Sequence, residues 1–345
     1  MAAIEHRTPD RVPTDYWAHK PVTERLCAAL GVDDYESMLT ALGVDIRDVR
    51  NRITYTGPPE HFLPDGRQCD MWGVPLNPGG TYASSVTRTP LSRATTVAEI
   101  DAHTPFPNPD WWDYSVIPAQ LEGKEDWVVR GGSYEEFAAF KFLRGVEQGY
   151  LDLAMHPEIV HYCMDNLCRL RCEDARRIYE QIPGKVIWTW VAEDVGSQEG
   201  LMISLAHIKE FLAPYMRRMA DVVHEGGAYA FHHSDGCGRD ALPTMIEQVG
   251  IDVLEPVQWR CPGMERETLK ELFGEDIAFM GGMDNQITLV RGTIEEIKQE
   301  VEDNIRILGA GGGYLLGPCH NIQIVTAPEK VVAMYDHAYE CGRMA

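Results

Sequence analysis

The stretch Phe231-His232-His233-Ser234-Asp235-Gly236-Cys237-Gly238 carries an imidazole, a carboxylate and a thiol within five residues. It follows Gly226-Gly227-Ala228-Tyr229-Ala230, which reads as a short buried strand, so these polar residues fall where a strand ends and a loop begins. Side chains alternate faces along extended chain, which puts His233 and Asp235 on one side, with Cys237 within reach if the glycines turn the chain. About eighty residues later, Gly317-Pro318-Cys319-His320-Asn321 follows a second glycine-rich apolar run, Gly311 to Leu316. His233, Asp235, Cys237, Cys319 and His320 together offer the N, O and S donors that zinc takes, and a catalytic zinc site uses three protein ligands and keeps one position open. The plainer alternative, residues that only hydrogen-bond each other at a strand-end rim, stays open at this point.

Other strand ends carry similar chemistry. Glu193-Asp194-Val195-Gly196-Ser197-Gln198 sets an acid before a glycine and two hydrogen-bonding side chains, and Gly281-Gly282-Met283-Asp284 does much the same. Asp194, Asp284 and Gln198 are therefore candidate catalytic groups. Trp188 and Trp190 lead into Asp194 at alternating positions; with Tyr134, Trp259, Trp72 and Glu255 they are candidates for the substrate pocket.

The elements that must position these residues follow a regular rhythm from Asp126 onward. Trp127–Arg130, Lys185–Val191, Ala228–Phe231, Ile251–Leu254, Asp276–Met280 and Tyr314–Leu316 read as short apolar strands, each followed by an amphipathic helical segment. Such alternation implies parallel pairing through right-handed crossovers. Adding Thr14–Ala18 and Val44–Val49 brings the count to eight, which favours a closed (β/α)8 TIM barrel, one domain over residues 1–345, above an open doubly wound sheet. Asp194, His233, Glu255, Asp284 and His320 then all lie just past the carboxyl end of a strand, the face on which such barrels keep their active sites. Residues 54–110, rich in Pro, Gly and Thr with Asp70-Met71-Trp72-Gly73-Val74 as kernel, read as an irregular rim or lid.

A formal net charge of −22, from 53 acidic and 31 basic residues, disfavours nucleic acid and anionic membranes as partners. The nine cysteines are odd in number and scattered, and no apolar run at the start reads as a signal peptide, so a reducing, cytoplasmic setting is expected. Cys163, Cys168 and Cys172 lie on one long helical stretch and are expected to pack in the core. Gly311-Gly312-Gly313 precedes its strand instead of linking strand to helix, which sets aside a dinucleotide fingerprint.

The chain resembles the uroporphyrinogen decarboxylase superfamily, and within it the branch of zinc- and cobalamin-dependent methyltransferases. The resemblance is carried by Thr8-Pro9-Asp10-Arg11-Val12-Pro13, Asp70-Met71-Trp72-Gly73-Val74, Arg144-Gly145 with Asp152-Leu153, Glu193 to Gln198, His233-Ser234-Asp235-Gly236, Pro256-Val257-Gln258, Gly281 to Asp284 and Gly317 to Gln323. It implies the barrel independently of the spacing. In the family's thiol methyltransferases the metal motif is His-x-Cys-Gly at one strand end and a Cys at the last. Here Asp235 stands in the first Cys position, and either Cys319 or His320 takes the second. The arginine-rich segment that binds substrate carboxylates in the true decarboxylases has no counterpart between Met1 and Leu30.

The resemblance therefore implies a methyltransferase acting with cobalamin carried by a partner corrinoid protein, with zinc as Lewis acid and a homodimer as a possible assembly. A hard carboxylate oxygen in place of a thiolate suits an oxygen substrate, so the small-molecule partner is expected to be an O-methyl, aromatic compound. The alternative is a cofactor-free decarboxylase in which Asp194 stabilises a protonated substrate ring.

Overall fold

Val186-Ile187-Trp188-Thr189-Trp190-Val191 combines β-branched and aromatic residues, and all but one of its side chains are buried, as a strand covered on both faces requires. Chains of this kind build the molecule. The computed structural model describes residues 1–47, 54–57, 69, 72–74, 89–103, 106–123 and 127–343. Along them run strands β1 Ile46–Arg47, β2 Thr54–Tyr55, β3 Trp112–Asp113, β4 Val128–Tyr134, β5 Val186–Val191, β6 Tyr229–His233, β7 Val253–Glu255, β8 Ala278–Met283 and β9 Tyr314–Pro318. Seven of them form one curled sheet in the order β1-β4-β5-β6-β7-β8-β9, every pair parallel.

The eighth expected strand, Thr14–Ala18, is present as two isolated bridges, Thr14 with Leu316 and Ala18 with Ile322. Between those bridges one side advances four residues and the other six, so no continuous ladder can form. The segment still spans the gap between the first and last strands. Asp15 N donates to Leu316 O at 2.9 Å, Ile322 N to Trp17 O at 2.9 Å, and on the other side Asp45 N to Thr14 O at 3.1 Å.

Alternation along the strands sorts two cores. Trp188, Trp190, Phe231, Val253, Met280 and Leu315 fill the inside of the curl, closed at the amino-terminal end of the strands by Ala3 and Ile4. Arg130 and Asp15 cross that interior as a buried ion pair at 2.5 Å. The outward residues meet the helices in a larger core, where Cys163, Cys168 and Cys172 are all buried on helix Pro157–Gln181.

The helical segment after β4 is two helices, Glu136–Arg144 and Val146–Met155, because Gly145 breaks the run at φ +92°. In the segment from Leu205 to Glu225, the turn at Ile208–Leu212 widens to π geometry just before Pro214, which has no N–H to offer the ladder. In β8, Gly281 and Gly282 sit at φ +100° and +88°, and a Cβ on Gly282 would stand 3.1 Å from Asn304 of helix Ile294–Leu308; the pair lets that helix lie close.

Of the expected rim, Asp70 and Met71 lie outside the described residues. Within its bounds and just beyond, β2 pairs antiparallel with β3 and Val97–His103 is helical. Among the described residues no helix is long and apolar enough to cross a membrane.

One surface pair gives a pH signature. His224 Nε2 lies 2.8 Å from Asp252 Oδ2, and this bond raises the imidazole above its ordinary value against the opposing effect of burial. A raised folded-state value stabilises below the unfolded value near 6.5 and loses that contribution as pH rises through the folded one. His224→Gln should therefore lower Tm at pH 6 and leave it nearly unchanged at pH 9, as thermal melts at both values would show.

Candidate metal centre

His233 ends β6, in register with Glu255 at the end of β7. The Glu255 carboxylate can only accept, so His233 Nδ1 donates to Oε2 at 2.5 Å, and both side chains are buried. This leaves Nε2 turned into the mouth of the curl, 3.8 Å from Asp194 Oδ1 and 3.9 Å from Asp235 Oδ1. Burial alone would depress this imidazole; Glu255, with help from Asp235 and Asp194, overrides it and pushes His233 up to about 10.

His320 repeats the arrangement on the loop after β9. Its Nδ1 is bonded to the side-chain oxygen of Asn321, and Nε2 faces Asp235 Oδ2 at 3.8 Å. Asp235 is held by Gln258, whose Nε2 donates to Asp235 Oδ1 at 3.2 Å while its Oε1 accepts from Gly236 N at 2.7 Å. Burial pushes the Asp235 carboxyl above the usual range, against the pull of the two imidazoles. The donor atoms of His233, Asp235 and His320 lie within 4.8 Å of one another.

This geometry fits a divalent metal. Both imidazoles have Nδ1 tied to an oxygen acceptor and Nε2 free, the outer-shell pattern that fixes tautomer and ring direction in metal-binding histidines. The two expected thiols are elsewhere. Cys237 donates to Gln198 O at 3.3 Å and Cys319 to Val257 O at 3.2 Å, and burial raises the pKa of each above its ordinary value. The set brought together is thus two imidazoles and a carboxylate, a set that zinc accepts in catalytic sites.

Aromatic rings wall the centre. Trp190 stacks on His233 with ring centroids 5.3 Å apart, and Trp17 lies 4.4 Å from His320 and 5.8 Å from His233. Asp194, half exposed, accepts from Asp235 N at 2.9 Å and so orders the loop that carries Asp235 as well as facing His233. Glu255 stands behind His233 and orients it.

The other expected residues sit farther off. Trp188 stacks on Phe231 and lines the cavity beside Met1 to Ile4, at the opposite end of the strands. Tyr134 turns outward and donates to Asp174 at 2.8 Å. Trp259 lies between Arg260 and Arg266, its indole N–H on Gly282 O at 3.0 Å. Asp284 accepts from Gln286 N at 2.9 Å and from Arg260 Nε at 2.6 Å, which makes it an anchor of its own turn. Gln198 donates to Gln258 Oε1 at 3.3 Å, one residue removed from Asp235. Trp72 lines a separate cavity.

Sequence reasoning passed over Trp17, Gln258, Asn321 and Glu135 as site residues. The signal for two of them was position: Glu135 and Gln258 lie just past the carboxyl ends of β4 and β7, on the side where His233 ends β6.

A curled parallel α/β sheet whose titratable side chains gather beyond the carboxyl ends of its strands defines the class. The chain belongs to the uroporphyrinogen decarboxylase family, whose description "Uroporphyrinogen decarboxylase (URO-D)" matches residues 142–341. Uroporphyrinogen decarboxylase of Nitrosococcus oceani is 24% identical over 228 residues, covering 62% of this chain and 54% of the relative. That of an Anaeromyxobacter species is 31% identical over 220 residues, covering 62% and 55%. The chain spans about half the length of the curated relatives it matches. Among solved structures, a methyltransferase from Methanosarcina mazei superposes with a TM-score of 0.65 at 18% identity, over 98% of this chain and 96% of the other, which shows a shared fold.

Proposed function

We propose that the protein is a methyltransferase moving a methyl group between a small O-methyl compound and the cobalamin of a separate corrinoid protein. The observation that carries this reading is the His233–Asp235–His320 cluster, open at the mouth and free of thiols. The curled sheet with Thr14–Ala18 in its gap supports the (β/α)8 barrel that this chemistry uses in the resembling branch. His233, Asp235 and His320 would hold zinc, which when bound supplies Lewis-acid polarisation of the oxygen that carries or receives the methyl group. The remaining work falls to the chain. Glu255 and Asn321 hold the two Nδ1–H groups, so that both Nε2 atoms face inward. Gln258 and Asp194 fix the Asp235 loop. Trp17 and Trp190 cover the imidazoles and exclude water from that side. Asp194, half exposed and 3.8 Å from His233, would as a carboxylate take the hydroxyl proton in the methylating direction and as the acid return it to the product oxygen in the demethylating one.

The test is direct. Purified protein is assayed for zinc by elemental analysis and mixed with cob(I)alamin and methoxylated aromatics, with methylcobalamin followed by absorbance. Near-stoichiometric zinc and methylcobalamin formation are expected; metal-free protein with no methyl transferred sinks the reading.

A second reading, a decarboxylase free of metal, is favoured by the names of the curated relatives. In it Asp194 would face the substrate and the histidines would serve as hydrogen-bond donors. Carbon dioxide release from a porphyrinogen would establish it.

A further inference from the structure

A cavity of about 200 Å³ opens beside the metal centre, lined by Trp72, Val74, Ser133, Glu135, Phe142 and Arg171 and by three aliphatic side chains of helix Glu136–Arg144. It is larger than the roughly 150 Å³ engineered cavity that takes a benzene ring. Its position follows from strand register. Ser133 pairs with Trp190, and Trp190 is stacked on His233, so Ser133 links the lining to the His233 cluster, while Trp72, Val74, Ala139 and Leu143 belong to the core on the helix side of the sheet.

The polarity of this cavity is unusual. Arg171 reaches it from helix Pro157–Gln181, and among the described residues its guanidinium makes no hydrogen bond and no ion pair. Its neighbours are the rings of Trp72 at 5.7 Å and Tyr134 at 5.9 Å, and its Nε is buried without a partner. Glu136, fully buried nearby, has both carboxylate oxygens unpartnered among the described residues, and burial pushes it up to about 7; burial likewise raises Glu135. A guanidinium among aromatic and aliphatic walls, its Nε buried without a partner, is set for an anion brought in from outside.

We infer that this cavity is the substrate pocket and takes a single-ring carboxylate, the carboxylate on Arg171, the ring against Trp72 and Phe142, and the methoxy group directed along Ser133 and Trp190 toward His233. The methoxy part rests on the methyl-transfer reading above; the recognition of an aromatic anion does not.

The experiment separates the two by measuring binding without turnover. Protein with its metal, and no corrinoid, is titrated with 4-methoxybenzoate and with the neutral isostere 4-methoxybenzamide, by calorimetry and by tryptophan fluorescence. The acid should bind roughly ten- to a hundredfold more tightly than the amide, the value of hydrogen bonds to a charged group. Arg171→Met should erase that preference, and Arg171→Lys should keep part of it. Phe142→Trp, which fills the cavity from its rim, should weaken both ligands, and it decides the matter should Arg171→Met fail to fold by circular dichroism. Equal binding of acid and amide, a preference that survives Arg171→Met, or binding unaffected by Phe142→Trp overturns the assignment. Binding as expected with no methyl passed to cob(I)alamin would overturn the methyl-transfer reading and leave the pocket standing.

Discussion

Protein carrying His233→Ala should retain less than a tenth of the zinc bound by the unsubstituted protein and should unfold at distinctly lower denaturant. Two consequences of one removal add. On the proposed reading the metal would lose the ligand whose direction is fixed most firmly, since its Nδ1 bond to Glu255 is 2.5 Å long and both groups are buried. Glu255 in turn is left as a buried carboxylate without its partner, a situation that costs about 3–5 kcal/mol in comparable buried pairs. Elemental analysis after gel filtration reads the first effect, and urea titration of the metal-free proteins reads the second. Glu255→Gln separates them: it keeps the ligand and removes the orienting charge, so metal affinity should fall about 10–100-fold. If His233→Ala binds zinc as well as the unsubstituted protein does, the centre is held by other residues.

The second large effect is expected far from the site. Arg144 and Asp152 form an ion pair with side chains only 1% and 0% exposed, through bonds of 2.7 and 3.2 Å. Arg144 also donates to Leu91 O and Ala94 O, and Gln148 donates to Asp152 at 2.7 Å. The pair therefore joins helices Glu136–Arg144 and Val146–Met155 to the segment at 91–94, and through the first of these helices it supports the wall of the cavity described above. Asp152→Ala leaves the guanidinium buried and uncompensated, and should destabilise by about 3–5 kcal/mol, measured as a lower urea midpoint at unchanged slope. Arg144→Met combined with Asp152→Leu should recover much of that loss, because a packed apolar pair carries no desolvation cost. A single substitution no worse than the double one would mean that water reaches the pair.

What local chemistry determines was legible in the order of residues. Alternation along a strand suffices to place His233 and Asp235 on one side. The apolar run of β5 and the Thr293–Glu296 capping box that opens helix Ile294–Leu308 are likewise written in neighbouring residues. The helix break at Gly145 was not, because a glycine inside a helical run costs only about 1 kcal/mol and can be carried without ending the helix.

Which donors meet is a different kind of question. After Asp235, Gly236 at φ +78° turns the chain so that Cys237 faces Gln198 O, and periodicity carries no information past such a residue. Cys319 and His320 are adjacent, and only the packing against Val257 decides that the thiol goes inward and the imidazole toward Asp235. Trp188 and Trp190 share a face, yet two residues advance a strand about 6.6 Å, enough to put the first against the amino-terminal plug and the second against His233. Trp17 and His320 lie some three hundred residues apart in sequence and 4.4 Å apart between ring centroids. The kinds of donor and the strand ends that bear them were set by sequence alone; their partners were set by the curl of the sheet, which brings the first and last segments of the chain together.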